Sequence, residues 1–158
     1  MKASRKQTAR ETRTAPLSFA QQRLWFLDQY EPGSILYNLS AAIHLKGALN
    51  VTALERSLSE IVRRHEVLRT TFFIVDDRPV QVINEARDFQ LTAIELRESC
   101  LQEKEETAAR FAAEEARTPF NLAEGPLLRV KLLRLAEDDH VLLITMHHII
   151  SDGWSIKV

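Results

Sequence analysis

The residues best equipped for chemistry sit near the C-terminal end, in MHHIISDGWS over residues 146–155. Adjacent imidazoles can take up and release protons near neutral pH, because an unperturbed histidine titrates at ~6.5. The apolar run HVLLIT before them reads as a strand, and successive strand side chains point to opposite faces. His147 and His148 should therefore not share one task. One turns to the core, the other to a cleft at the strand end. Opposed rings also make a poor metal site, and no cysteine or carboxylate cluster completes a ligand set. Ordinary hydrogen-bonded histidines at a strand terminus remain compatible with this pattern.

Asp152-Gly153 alone is a common turn signal. A carboxylate drawn under the surface directly after a buried strand needs a cation, however. RRHEVLRTTF offers Arg63, Arg64 and Arg69 near the end of a helical segment. Positive charge also suits a helix C-terminus, so each arginine has a plain alternative as a solvated helix-end charge. That alternative is preferred for Arg63, whereas spacing leaves Arg64 and Arg69 open. His65 and Glu66 read as surface or boundary residues.

The elements that must position these groups follow from periodicity and caps. Ser18 and Gln21 form an S-x-x-Q capping box that opens a short helix, to which Phe19, Trp25, Phe26 and Leu27 lend apolar surface, before Pro32-Gly33. YNLSAAIHLKG alternates as a strand over 37–46. From Asn50 the chain is helical, with Leu54, Leu58, Ile61, Val62 and Leu68 on one apolar face. TTFFIV and PVQVI flank DDR as a hairpin, and FQLTAIEL is a further strand. Residues 101–117 lack Gly and Pro and predict a largely exposed helix stopping before Pro119. GPLLRVKLLRL and HVLLITMHH are two strands joined by AEDD, the second apolar enough to be covered on both faces. Strands mixed with three helices predict an α/β sandwich whose strand order is not readable.

At 158 residues the length suits one domain with a sizeable core. Lys plus Arg total 21 against 22 for Asp plus Glu, so no charge bias points to nucleic acid or a membrane surface. Cys100 stands alone and forms no internal disulfide, which fits a reducing cytoplasm. No apolar run approaches the ~18 residues of a membrane span. Residues 1–15, with five positive charges and one negative, predict a disordered basic tail or linker, with structure from residue 16 onward.

SFAQQRLWFL, RHEVLRTTF and MHHIISDGWS, in this order and at these separations, resemble the first three core motifs of nonribosomal peptide synthetase condensation domains. FNLAEGPLLRVKLL between them resembles the same family, so the likeness runs over residues 16–158. HHxxxDG alone recurs across the chloramphenicol acetyltransferase-like superfamily. DGWS, with Trp154 before Ser155, resembles condensation more than epimerisation domains, and the intact histidine pair argues against heterocyclisation domains. The resemblance implies a chloramphenicol acetyltransferase-like two-layer sandwich, the N-terminal half of a V-shaped pseudo-dimer. It also implies a chain truncated after the HHxxxDG motif.

It further implies an acyltransferase-type reaction. An upstream acyl or peptidyl thioester is joined to the amine of a downstream aminoacyl thioester, both on the 4′-phosphopantetheine arms of carrier proteins. No cofactor or metal is bound directly. By position His148 matches the catalytic histidine, His147 its partner of mainly structural importance, and Asp152 the buried carboxylate that pairs with an arginine. Arg64 is the first candidate for that arginine and Arg69 the second; the Gly153 backbone can approach substrate closely. The implied partners are carrier proteins, the C-terminal condensation subdomain and an adenylation domain. A fragment of this kind is expected to be inactive alone. A coenzyme A-dependent HHxxxDG acyltransferase and a non-catalytic carrier-protein binding module are the alternatives.

Overall fold

A computed structural model describes residues 13–98 and 100–152. Strand β1 covers Arg13–Pro16, helix α1 Phe19–Tyr30, β2 Asn38–Lys46, and α2 Val51–Arg64. A 3-10 turn over Glu66–Arg69 leads into β3 (Thr70–Val75) and β4 (Arg78–Ile83). Then come β5 (Thr92–Glu95), α3 (Leu101–Arg117), β6 (Leu128–Ala136) and β7 (Asp139–His147). These strands form two sheets, β1-β4-β3 and β2-β7-β6-β5, antiparallel throughout except for the β5–β6 pair.

The larger sheet is the platform of the molecule, and alternation along its central strands builds a core on each side. Leu128, Val130 and Leu132 of β6, with Leu142, Ile144 and Met146 of β7, face α1 and α2. There they meet Leu24 and Trp25 from α1 and Leu54, Leu58 and Val62 from α2. The intervening residues Leu133, Leu135, Val141 and Leu143 face α3 through Ala108, Phe111 and Ala112. Fully burying a leucine such as Leu132 or Leu133 stabilises by ~2 kcal/mol. A one-residue register slip would turn these side chains to the wrong face. The β6–β7 and β2–β7 registers are thereby set, and with them the place of His147 at the strand end, opposite Asn38.

Local signals act where the sequence places them. Ser18 Oγ accepts from Gln21 N–H while the Gln21 side chain accepts from Ser18 N–H, closing the capping box at α1. Asn50 Oδ1 accepts from Ala53 N–H at 2.9 Å and caps α2. The hairpin turns on Asp76 and Asp77, both at positive φ (48° and 58°), which suits the primed turn geometry that follows strand twist.

Three expectations are corrected. Arg13–Ala15, assigned to a disordered tail, pair with β4 in strand β1, where backbone hydrogen bonding outweighs the polar sequence; the rest of that tail lies outside the described residues. Helix α2 ends at Arg64, and Leu68 reaches the core from the 3-10 turn instead. Of the α1 aromatics, Trp25 packs inward while Phe19 and Phe26 are exposed. No helix among the described residues is long and apolar enough to cross a membrane.

Candidate active site

His147 closes strand β7 and is buried, 2% exposed. Its ring sits between Tyr37 (centroids 6.2 Å apart) and Phe120, which meets it edge-on at 6.1 Å and 86°. Nδ1 accepts the backbone N–H of Ile149 at 3.1 Å, so the lone pair is on Nδ1 and the ring is neutral. Burial first, and then the charge of neighbouring His148, hold its pKa down at about 4. His147 is thus uncharged at neutral pH.

His148 stands one residue beyond the strand, in a turn, and is half-buried. Its backbone N–H donates to the Tyr37 carbonyl at 2.8 Å, anchoring the turn to the residue before β2. Its ring Nδ1 lies 2.6 Å from the Ser151 carbonyl oxygen. A carbonyl only accepts, so Nδ1 carries the proton and donates it. In the neutral ring Nε2 is then the atom with the free lone pair. This second hydrogen bond selects the tautomer and aims the ring. The two rings differ in burial as strand alternation suggests, although His148 is placed by a turn and not by the strand.

Asp152 and Arg64 behave differently from the sequence reading. Asp152 is exposed. Arg64 donates from Nε to Glu60 Oε1 at 2.6 Å, and its side chain is 67% exposed. The expected buried Asp152–Arg64 pair is corrected on both counts. Glu60 stands one turn earlier on the same helix, where it meets Arg64 at little cost in ordering. Arg63 also pairs with Glu60, as its helix-end reading suggests. Arg69 is the more buried arginine: its guanidinium donates to the Asn84 carbonyl and lies 3.5 Å from Glu66. Gly153 lies outside the described residues, as do Trp154 and Ser155.

The sequence reading missed Tyr37, Phe120 and Ser151, which hold the two imidazoles, and also Arg129. Arg129 does carry a sequence signal. Arg129 and Lys131 are two apart on one strand and so share a face, and both reach the buried carboxylate of Glu115 on α3. That face belongs to the helix otherwise read as largely exposed.

The geometry joins a tautomer-locked histidine to a buried neutral partner at the end of a sandwiched sheet. The family described as condensation domain matches residues 11–158. The chain belongs to the condensation-domain family. It is 51% identical over 143 residues to a protein of the linear gramicidin synthase of Brevibacillus parabrevis, covering 90% of this chain and 2% of that protein. It is 43% identical over 144 residues to phosphinothricin tripeptide synthetase PhsB of Streptomyces viridochromogenes, covering 91% of this chain and 12% of that one. Among solved structures, the starter condensation domain of rhizomide synthetase superposes with a TM-score of 0.81 at 26% identity, covering 90% of this chain and 34% of that chain. The α/β sandwich is therefore the chloramphenicol acetyltransferase-like fold of condensation domains. This condensation-domain chain spans about a third of that solved domain and a small fraction of the two synthetases.

Proposed function

We propose that the chain supplies the His148-bearing wall of a condensation active site. The reaction joins an upstream acyl or peptidyl thioester to the amine of a downstream aminoacyl thioester. The observation that carries this reading is the Nδ1–H bond from His148 to the Ser151 carbonyl, which leaves Nε2 to accept a proton. The amine nitrogen attacks the thioester carbonyl, an N–C bond forms and the C–S bond breaks. The proton lost by nitrogen passes to Nε2 of His148 and on to the departing thiolate. An α-amine titrates near ~8, so roughly a tenth is unprotonated at pH 7; deprotonation before attack is only part of the barrier. Aligning the amine and taking its proton as the tetrahedral ammonium forms are the larger tasks for His148.

The substrates reach such a site on the 4′-phosphopantetheine arms of carrier proteins in the cytoplasm, and the sulfur of that arm is the leaving group. Gly153 is proposed to let backbone approach the acyl group, with Asp152 and Arg69 supporting the turn and strand around it. The second wall is proposed to be the remaining part of the condensation domain. Phe19, Phe26 and Tyr30 lie seven and eleven residues apart on α1, one helical face. At 91%, 62% and 82% exposure they are apolar surface that a soluble protein normally covers.

The test replaces His148 in the full-length synthetase. His148→Gln should reduce amide formation by ~100-fold or more while the circular dichroism spectrum is retained. Near-normal turnover would remove His148 from the chemistry. Running the wild type with carrier-bound and with coenzyme A-bound donor separates the two acyltransferase readings.

A further inference from the structure

The far side of His147 is held by a cluster outside the histidine motif. Arg129 on β6 donates from Nε to the carboxylate of Glu115, from Nη2 to the carbonyls of Glu115 (3.3 Å) and Thr118 (2.7 Å), and from Nη1 to that of Pro119 (3.2 Å). Those carbonyls belong to the last turn and exit of α3, where backbone oxygens lack helical partners. A guanidinium there also meets the negative end of the helix dipole. The same cation lies 3.7 Å from the centroid of Phe120, the ring that stands edge-on to His147. From the opposite strand, Asn38 Nδ2 donates to the carbonyls of Ala116 and Thr118, both at 2.9 Å, and Asn38 is the register partner of His147. The exit of α3 is thus tied down on both sides of that imidazole.

Glu115 is 4% exposed and also meets Lys131 at 2.5 Å. Burial alone would push its carboxyl up, but Lys131 and Arg129 together hold it below the usual range, and it stays charged. Burying the Glu115 carboxylate between two partly exposed cations is a poor route to stability, since desolvation offsets most of the attraction. It does fix geometry, because a forked guanidinium with a paired carboxylate tolerates few arrangements.

We propose that Arg129 is a positioning residue for the His147–His148 turn, acting through the α3 exit and Phe120. Phe120 fixes the plane of His147. His147 Nδ1 then fixes the Ile149 N–H, and that turn brings the Ser151 carbonyl to His148 Nδ1. The proposal rests on the reading of His148 as proton acceptor, and it goes beyond it by naming what keeps Nε2 the accepting atom.

The test compares Arg129→Lys with Lys131→Gln. The lysine variant keeps the charge but cannot span Glu115, three carbonyls and the Phe120 face. Lys131→Gln removes the other cation at Glu115 but keeps the Arg129 contacts to the α3 carbonyls and to Phe120. Nitrogen–proton NMR of the imidazoles in this chain reads the His148 tautomer; kcat and KM are read in the full-length synthetase. Arg129→Lys should convert His148 from one Nδ1–H tautomer to a mixture. It should also lower kcat by about 10-fold with KM changed less than about twofold, as expected for a misplaced group. Lys131→Gln should leave both readings at wild type. A folded Arg129→Lys protein with wild-type tautomer and kcat overturns the proposal. Should that variant not fold, Phe120→Leu replaces it; an unchanged His148 tautomer there also overturns the proposal. The arms are separable: an active His148→Gln enzyme sinks the proton-acceptor reading, while the tautomer measurement judges Arg129 by itself.

Discussion

At the scale of single residues, the two adjacent histidines sit in different environments, as strand alternation predicts. His147 is sealed between Tyr37 and Phe120 with its pKa held down at about 4. The unfolded chain would titrate this ring at ~6.5. Between these values the unfolded state binds a proton that the folded state does not, so stability falls as the pH drops from ~6.5 to ~4. The stabilisation is fully present above that window, and its loss amounts to about 3 kcal/mol across it. Urea midpoints at pH 7.5 and pH 4.5 should therefore diverge more for the wild type than for His147→Asn, which retains an acceptor but cannot be charged. Equal divergence would show that the ring is solvated in solution. Glu115 also contributes stability that is lost in acid, because its carboxyl lies below the usual range; it is common to both proteins and cancels.

At the scale of elements, caps and alternation do most of the positioning. Asn50 Oδ1 holds the first turn of α2 through Ala53 N–H, and α2 presents Leu54, Leu58 and Val62 to the larger sheet. Asn50→Ala should cost ~1 kcal/mol of stability and Asn50→Asp only a few tenths, since aspartate caps equally well. Chemical denaturation of the two variants measures this directly. Indistinguishable midpoints would mean that α2 is held by packing alone. The charged C-terminal end of the same helix is a weaker handle. Arg63 and Arg64 both lie on Glu60, and exposed pairs of this kind are worth little. Arg64 takes this local pairing on the exposed helix surface.

At the scale of the whole molecule, the buried sheet and the exposed α1 face are opposite halves of one picture. The central strands β6 and β7 of the four-stranded sheet carry a buried core on each face. The exposed aromatics of α1 form the surface that the remaining part of the domain is proposed to cover. The chain matches about a third of a solved condensation domain, so one wall of the proposed active site is expected to fold without performing turnover. The purified 158-residue chain supplied with loaded donor and acceptor carrier proteins should yield no condensation product above the uncatalysed background by mass spectrometry. Product at a rate dependent on chain concentration would show that this wall suffices.

Much of this architecture is legible without coordinates because its causes are local. The Ser18–Gln21 box, the span of α3, the Asp76-Asp77 hairpin and the paired strands β6 and β7 are set by neighbours within a few residues. The motif order likewise identified the family from side-chain identity alone. What distance along the chain concealed, the tertiary structure decided. Strand β1 exists because β4, more than sixty residues on, offers an edge to Arg13–Pro16. Arg64 lies on Glu60 because an intrahelical partner is nearer than any that folding must bring in. Phe120 and Arg129 matter because the exit of α3 is folded against the end of β7. Local caps and periodicity need only the chain's own geometry, whereas the choice between competing partners depends on which distant groups the closed core brings within hydrogen-bonding range.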